Sequence, residues 1–256
     1  SSKLIAPYGD KLVDLLVSDD EISELKDRAN KLRSIQISER DSCDLELLAT
    51  GAFSPLDRFM GKEDFENSVH NMRLGNGTVF PIPVSLPVFD VTNIKLDSDI
   101  ALRDPRNYLL AVMTVEEIYK WNQAEFSHKV VGTSDLRHPL NSEIYRRRNL
   151  NISGKLRVIS LPRHLDHREL RLTPQNTRSR LDDLGHLNVV AFQTRNPLHR
   201  GHEEICRRAM LTTNGTLLLH PTVGPTRAGD IDPFTRVRTY KALVKNYFAM
   251  DAALLA

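Results

Sequence analysis

The segment 193–210, QTRNPLHRGHEEICRRAM, holds the residues best suited to chemistry. His199 and His202 lie three residues apart, after an apolar run at 187–192 and a polar turn that ends in Asn196-Pro197. Residues three apart share one face of a helix, and the N-terminus of a helix offers unpaired N–H groups and positive partial charge to an anion. The spacing therefore predicts a strand, a turn and a helix start that together bind phosphate.

The turn itself carries further donors for an anion. Arg195 can present a planar fork of N–H groups, and Gln193 adds a neutral donor, so the two suit an oxyanion. Thr194 and Asn196 complete the turn. A surface ion pair is the alternative role for Arg195, and turn formation before Pro197 is the alternative for Asn196.

Two other interpretations of the histidines stay open. Histidines at i and i+3 can bind zinc, although the sequence offers no third ligand at a familiar spacing. A purely structural pair is the second alternative.

The same residues carry a family resemblance. The pattern His-x-Gly-His at 199–202 resembles the signature of the nucleotidyltransferase superfamily, and Gln-Thr-Arg-Asn-Pro at 193–197 narrows the resemblance to the ATP sulfurylases. The stretch 220–240, HPTVGPTRAGDIDPFTRVRTY, is similar to the second characteristic loop and helix of that family. The stretch 52–56, AFSPL, resembles part of its N-terminal domain, so the resemblance runs along the whole chain.

The resemblance implies an enzyme that joins sulfate to the α-phosphorus of ATP. The products of this reaction are adenylyl sulfate and pyrophosphate. In the reverse direction these two compounds are the substrates. The resemblance also implies that Mg²⁺ accompanies ATP. The resemblance implies that Gln193 and Arg195 contact sulfate. It assigns catalysis to Thr194, Arg195, Asn196, His199 and His202, and ATP binding to these five and Gln193.

The composition is that of an ordinary globular protein, with 40% hydrophobic and 27% charged residues. No apolar run approaches the ~18 residues of a membrane span, and residues 1–10 lack the apolar centre of a signal peptide. Cys43 and Cys206 are too few for a disulfide framework. We expect a cytoplasmic protein without a membrane partner, assembled as a homo-oligomer.

A net charge of +2 does not indicate a nucleic-acid partner. The one basic cluster, 146–148, is interpreted as a solvated face or a subunit contact rather than an RNA site. An RNA-binding PUA-like module with a degenerate second half is one functional alternative, and the intact segment 193–202 and the near-neutral charge count against it. A nucleotidyltransferase with another acceptor is the other, and residues 193–196 argue against it.

Residues 1–165 are predicted to form a β-rich domain punctuated by Pro and Gly, and the resemblance implies that it is PUA-like. Ser18 with Glu21 predicts a helix start, and a second helix is predicted over 38–50, ended by Gly51.

Strands should follow these helices. The patterns predict a turn at 75–77, edge or extended segments around the prolines at 81, 83 and 87, and a hairpin of 99–104 with 108–113. Thr114 and Glu117 predict the capped start of a short helix through Lys120.

Residues 166–256 are predicted to form a Rossmann-like parallel α/β domain, with a linker within 162–180. The expected order is βαβαβ, with helices on both faces of the sheet. Strands are expected at 187–192, at 216–220 and from Ala252, and helices at 203–212 and 234–248.

The second helix of this domain should begin at Asp232, its N-cap, followed by Pro233. Val237, Tyr240 and Val244 should form its apolar face.

The loop before that helix, 224–230, is expected at the ligand-binding edge, where Arg227 adds positive field. Asp230, Asp232, Arg236 and Arg238 are interpreted as an ion-pair and capping network that holds this loop. Cys206 is interpreted as a small core residue.

The chain ends in the apolar run 252–256, without the Gly-Arg-Asp-His-like segment that the family carries further on. We therefore expect a catalytic domain that is incomplete at its C-terminus and inactive by itself, whereas residues 1–165 should fold alone.

Overall fold

A computed structural model describes residues 4–185, 188–223, 229–248 and 253–255. The chain divides into two compact units, one formed by Pro7–Arg163 and the other by His164–Ala256 together with Ser1–Ala6. The domain limits inferred from sequence, 1–165 and 166–256, stay a prediction.

The first unit is built around one five-stranded sheet. Its strands are β1 (Ser34–Gln36), β2 (Leu86–Pro87), β3 (Asp99–Arg103), β4 (Leu109–Lys120) and β5 (Leu150–Val158). They lie in the order β1-β3-β4-β5-β2, and every neighbouring pair is antiparallel except β1 with β3. The β3–β4 hairpin confirms the predicted pairing of 99–104 with 108–113. Pro87 lies on an edge strand, as its missing N–H requires, whereas Pro81 and Pro83 lie outside the strands.

Helices surround this sheet. They are α1 (Asp19–Ala29), α2 (Glu39–Ala49), α3 (Lys62–Asn71), α4 (Gln123–Phe126) and α5 (Pro139–Arg146). Both predicted helix starts are confirmed, because Ser18 and Ser38 each form a capping box with the acidic residue three positions on. Gly51, in the left-handed region at φ +82°, follows α2 as predicted.

The short helix predicted from Thr114 to Lys120 is wrong, because these residues belong to β4. Thr114 donates its hydroxyl to Asp99 Oδ1 at 2.6 Å, across the hairpin. Glu117 accepts a hydrogen bond from the backbone N–H of Lys62 at 2.9 Å, so it caps α3 instead of its own segment. Pairing of β4 with β5 engages the segment on both sides of an irregularity at Glu116 and overrides the local capping pattern.

The second unit contains a three-stranded parallel sheet. Its strands β6 (Asn188–Thr194), β7 (Gly215–Pro221) and β8 (Ala253–Leu255) alternate with helices α7 (Arg200–Thr213) and α8 (Pro233–Tyr247). The order β6-β7-β8 follows the chain. The predicted βαβαβ arrangement is confirmed, although Leu187 and Ala252 lie outside the described residues.

The expectation of helices on both faces is wrong for α7 and α8. Cys206 of α7 and Tyr240 of α8 pack in one cluster with Leu217 and Leu219, which share one face of β7. Right-handed crossovers that advance in one direction place successive helices on the same side of a sheet.

A further helix, α6 (Pro174–Asp183), precedes β6. The helix occupies part of the stretch 162–180 in which the linker is expected. Thr173 caps the helix by accepting a hydrogen bond from the Asn176 N–H at 3.2 Å, and Pro174 occupies the first helical position. No helix among the described residues is both long and apolar enough to cross a membrane.

Candidate active site

The predicted donors lie on one turn, at the carboxyl end of β6. Residues 195–199 connect that strand to α7, and the ladder with β7 continues to the turn, because Thr222 donates its N–H to the Thr194 carbonyl at 2.8 Å. Ligands of parallel α/β sheets bind at this edge. The fold therefore places the turn where a ligand site is expected.

His199 and His202 form the start of α7. The helix begins at Arg200, three residues earlier than predicted, because His199 serves as its N-cap. Nδ1 of His199 accepts a hydrogen bond from the Gly201 N–H at 3.1 Å, and Nδ1 of His202 accepts one from the His199 N–H at 3.4 Å.

These two bonds fix the tautomer of both imidazoles. A ring nitrogen that accepts a hydrogen bond carries no proton, so the neutral ring holds its proton on Nε2. The two ring centroids lie 3.9 Å apart, and the His202 ring also contacts Phe192 at 5.6 Å. The helix start therefore presents two adjacent Nε2–H donors, a set that suits phosphate oxygens.

Gly201, which lies between the two histidines in the sequence, leaves room for the His199 ring. A Cβ at this position would lie 3.0 Å from Cε1 of His199, closer than normal packing allows. The small residue in His-x-Gly-His therefore lets the first imidazole fold over the helix start.

Arg195 is held by an ion pair. Its Nη2 donates to both carboxylate oxygens of Asp230, at 2.7 and 2.5 Å, with side-chain exposures of 36% and 14%. The ion pair that was the alternative for Arg195 is therefore present. Its Nε and Nη1 atoms donate no hydrogen bond within the described part of the chain, so they are the donors that an oxyanion could meet.

The backbone of the turn is fastened to α8. Arg236 Nη1 donates to the carbonyls of Arg195 at 2.5 Å and Thr222 at 3.0 Å, and Tyr240 donates its hydroxyl to the Asn196 carbonyl at 2.5 Å. Burial raises the pKa of the Tyr240 hydroxyl, which keeps it a donor.

The predicted network around α8 is confirmed in outline and corrected in its partners. Asp232 caps α8 by accepting a hydrogen bond from the Thr235 N–H at 2.9 Å, and Asp230 pairs with Arg195 rather than with a residue of α8. Arg238 donates a hydrogen bond to the Thr235 hydroxyl at 3.3 Å, and hydrogen bonds from Thr235, followed by the charge of Arg238, help to lower the pKa of Asp232. Arg227 and the loop 224–228 lie outside the described residues.

Sequence reasoning missed the hydrogen-bonding role of Tyr240. It identified the residue correctly as part of the apolar face of α8, where Val237 and Tyr240 are each 1% exposed. The signal that could have found the role is the pair Arg236 and Tyr240, four residues apart, because a buried guanidinium and phenol on one helix face both need acceptors.

The remaining candidates complete the turn. Thr194 Oγ1 accepts a hydrogen bond from the Asn196 N–H at 3.1 Å, which shapes the turn, and the Asn196 side chain is exposed. Gln193 is exposed at the end of β6, opposite His220 of β7. All six predicted residues thus lie on one continuous segment, from the end of β6 through the turn to the start of α7.

Two further predictions concern metal and thiol chemistry. In the described ranges, no group of three or more His, Cys, Asp and Glu side chains could hold a metal ion. Cys206 is buried at 1% exposure, as expected of a core residue, and burial raises the pKa of its thiol.

A parallel βαβ turn with a His-x-Gly-His helix start defines an α/β unit of the nucleotidyltransferase type. Residues 5–161 match the PUA-like domain, and residues 168–256 match the ATP-sulfurylase domain. The second part of the chain therefore belongs to the ATP-sulfurylase domain family, and a PUA-like domain precedes it.

Its curated relatives include sulfate adenylyltransferases of fungi. The chain is 43% identical to that of Chaetomium globosum, over 94% of this chain and 43% of the relative. It is 42% identical to that of Schizosaccharomyces pombe, over 88% of this chain and 47% of the relative. The chain therefore spans less than half the length of these relatives.

A solved structure is also similar. The hexameric APS kinase from Thiobacillus denitrificans matches with a TM-score of 0.77 and 28% identity, over 97% of this chain and 45% of that one.

Proposed function

We propose that the protein is a sulfate adenylyltransferase and that this chain supplies its anion-binding turn. The observation that carries the proposal is the set of N–H donors on one turn: the Arg195 guanidinium and the two Nε2 donors of His199 and His202. Fungal relatives with this name are about 40% identical over nearly the whole chain.

In the proposed reaction a sulfate oxygen forms a bond to the α-phosphorus of ATP, and the bond from that phosphorus to the bridging oxygen of the β-phosphate breaks. Pyrophosphate leaves with that electron pair, and adenylyl sulfate remains. No protein nucleophile is needed, because the main barrier is the approach of two anions and the charge that develops on the leaving oxygens.

The residues of the turn suit these tasks. Arg195 and Gln193 would hold sulfate, and the backbone and side chain of Asn196 with Thr194 would shape the phosphate cradle. His199 and His202 would donate from Nε2 to the triphosphate as its charge shifts towards pyrophosphate.

Mg²⁺ enters this proposal with the nucleotide. The donors of the turn are guanidinium, imidazole and amide N–H groups, whereas Mg²⁺ prefers oxygen ligands and commonly binds the phosphates of its nucleotide. The chain's residues therefore fit the anion, and the triphosphate would hold the cation.

Assembly and location are part of the proposal. A homo-oligomer is supported only by the hexameric state named for the similar APS kinase, and light scattering after size exclusion would measure it. A cytoplasmic location without a nucleic-acid partner agrees with the sequence charge of +2.

The test is exchange of labelled pyrophosphate into ATP, with and without sulfate, in the protein and in Arg195→Ala. We expect sulfate-dependent exchange that falls by about 10² to 10³-fold in the variant, because a charged donor to the reacting groups is lost. Arg208→Ala is the matched control, since Arg208 is 76% exposed and pairs with Glu204 on the outer side of α7. Exchange that requires an acceptor other than sulfate would instead identify another nucleotidyltransferase.

A further inference from the structure

Arg236 is a buried charged residue of the second unit. It is 3% exposed, and among the described residues no carboxylate forms an ion pair with it. Its Nε atom is buried and has no hydrogen-bond partner there. A buried cation without a counter-charge is costly, so its retention needs a reason.

The geometry gives a positional reason. One nitrogen of Arg236 reaches two backbone carbonyls that follow different strands, Arg195 after β6 and Thr222 after β7. These carbonyls belong to the two segments that border the anion-binding turn. The guanidinium therefore fixes the backbone from which the Arg195 side chain extends.

The charge gives an electrostatic reason. A guanidinium beneath the turn, screened from water, adds positive potential at the sheet edge where the Nε and Nη1 atoms of Arg195 and the two imidazoles offer their donors. An anion bound there would supply the counter-charge that the described residues do not provide.

We propose that Arg236 is a positioning residue for the anion site: it clamps the ends of β6 and β7, directs Arg195, and supplies buried positive charge that a bound anion balances. The proposal rests on the proposed function, because it concerns the same site. It adds a residue of α8 that does not itself touch the reacting groups.

The test compares Arg236→Gln, Arg236→Lys and the control Arg238→Gln. Arg238 lies two residues further along α8, is exposed, and donates its hydrogen bond to the Thr235 hydroxyl rather than to the turn. For each protein we would measure the rise in melting temperature caused by inorganic pyrophosphate and by inorganic sulfate. The second measurement is kcat and KM for sulfate-dependent pyrophosphate exchange.

We expect Arg236→Gln to lose most of the anion-induced rise in melting temperature and about 10²-fold in kcat/KM, since the turn is displaced and the charge is gone. Arg236→Lys should keep part of the anion-induced rise but lose kcat, because the shorter side chain does not bring its ammonium to the position of Nη1 between the two carbonyls. Arg238→Gln should match the unaltered protein. This split between anion binding and kcat would not follow from a merely structural role.

Several results would overturn the proposal. A folded Arg236→Gln protein with normal exchange and a normal anion response would do so, as would Arg236→Lys with unchanged kcat. If Arg236→Gln does not fold, the lysine variant decides.

An unaltered protein that shows no sulfate-dependent exchange but gains stability from pyrophosphate would contradict the proposed function alone. Loss of that gain in both Arg236 variants, and not in Arg238→Gln, would still support the role of Arg236. An unaltered protein with neither exchange nor an anion response would overturn both.

Discussion

Replacing Asp44 by Asn should stabilise the protein at neutral pH. Asp44 lies on α2 with 17% of its side chain exposed, and burial raises the pKa of its carboxyl from 3.8 to about 6. Arg40, 4.0 Å away, offsets only part of this effect. The folded protein therefore binds the proton of Asp44 more tightly than the unfolded chain does.

The sign and magnitude follow from that difference. Below about pH 4 the carboxyl is protonated in both states, and between pH 4 and 6 the unfolded chain loses its proton first, so the free energy of unfolding falls as pH rises. Each pKa unit corresponds to about 1.4 kcal/mol, so the full cost above pH 6 is about 3 kcal/mol. Asn carries no charge at any pH, so Asp44→Asn should be more stable by up to that amount at pH 7.5 and equally stable near pH 4.

The assay is urea denaturation, monitored by the fluorescence of Trp121. It is the single tryptophan of the sequence and lies in the core of the same unit, against Phe65 and Phe126. Glu24→Gln, which removes an exposed carboxylate of α1, is the control and should change little. A stability difference that is the same at pH 4 and pH 7.5 would refute the reasoning, and a less stable Asp44→Asn at pH 7.5 would show that the pair with Arg40 outweighs burial.

Three further substitutions probe the packing and the caps. Gly154→Ala should destabilise the first unit by more than about 2 kcal/mol, because the new Cβ would lie 1.9 Å from the Thr114 carbonyl; Trp121 fluorescence in urea measures it. Asp232→Ala should cost about 1 kcal/mol by removing the cap of α8, seen as faster amide exchange in that helix. Tyr240→Phe should lower the free energy of unfolding by about 1 kcal/mol, because the hydrogen bond to the turn is lost. Amide exchange should become faster near the turn and stay unchanged in the first unit.

Much of the second unit could be predicted from local sequence, because its features are short-range. A turn followed by His-x-Gly-His specifies a helix start, and Asp232-Pro233 specifies another. The sequence predicted a strand, a turn and a helix start along the segment that holds the six candidate residues, and the structure contains these elements. What local sequence could not show was that Asp230 and Arg236 hold Arg195, since those contacts join residues 35 and 41 positions apart.

The errors in the first unit have the same origin. Thr114 and Glu117 form a valid capping pattern, yet each finds its partner across the fold, on Asp99 and Lys62. A local pattern shows which hydrogen bonds a side chain could form. The long-range pairing of β4 with β5 determines which of them it does form.

The closure of the first unit has a consequence for the order of events during synthesis. Val158, near the end of that unit, exchanges backbone hydrogen bonds with Leu15 and Val17, near its start, at 2.9 and 3.0 Å. Such contacts cannot form until the ribosome has released β5, so the N-terminal segment must wait while almost the entire unit emerges. In the second unit, β6 and β7 are neighbours along the chain and pair as soon as α7 joins them. The pairing of β6 with β7 therefore needs a shorter stretch of new chain than the contacts of Val158 with Leu15 and Val17.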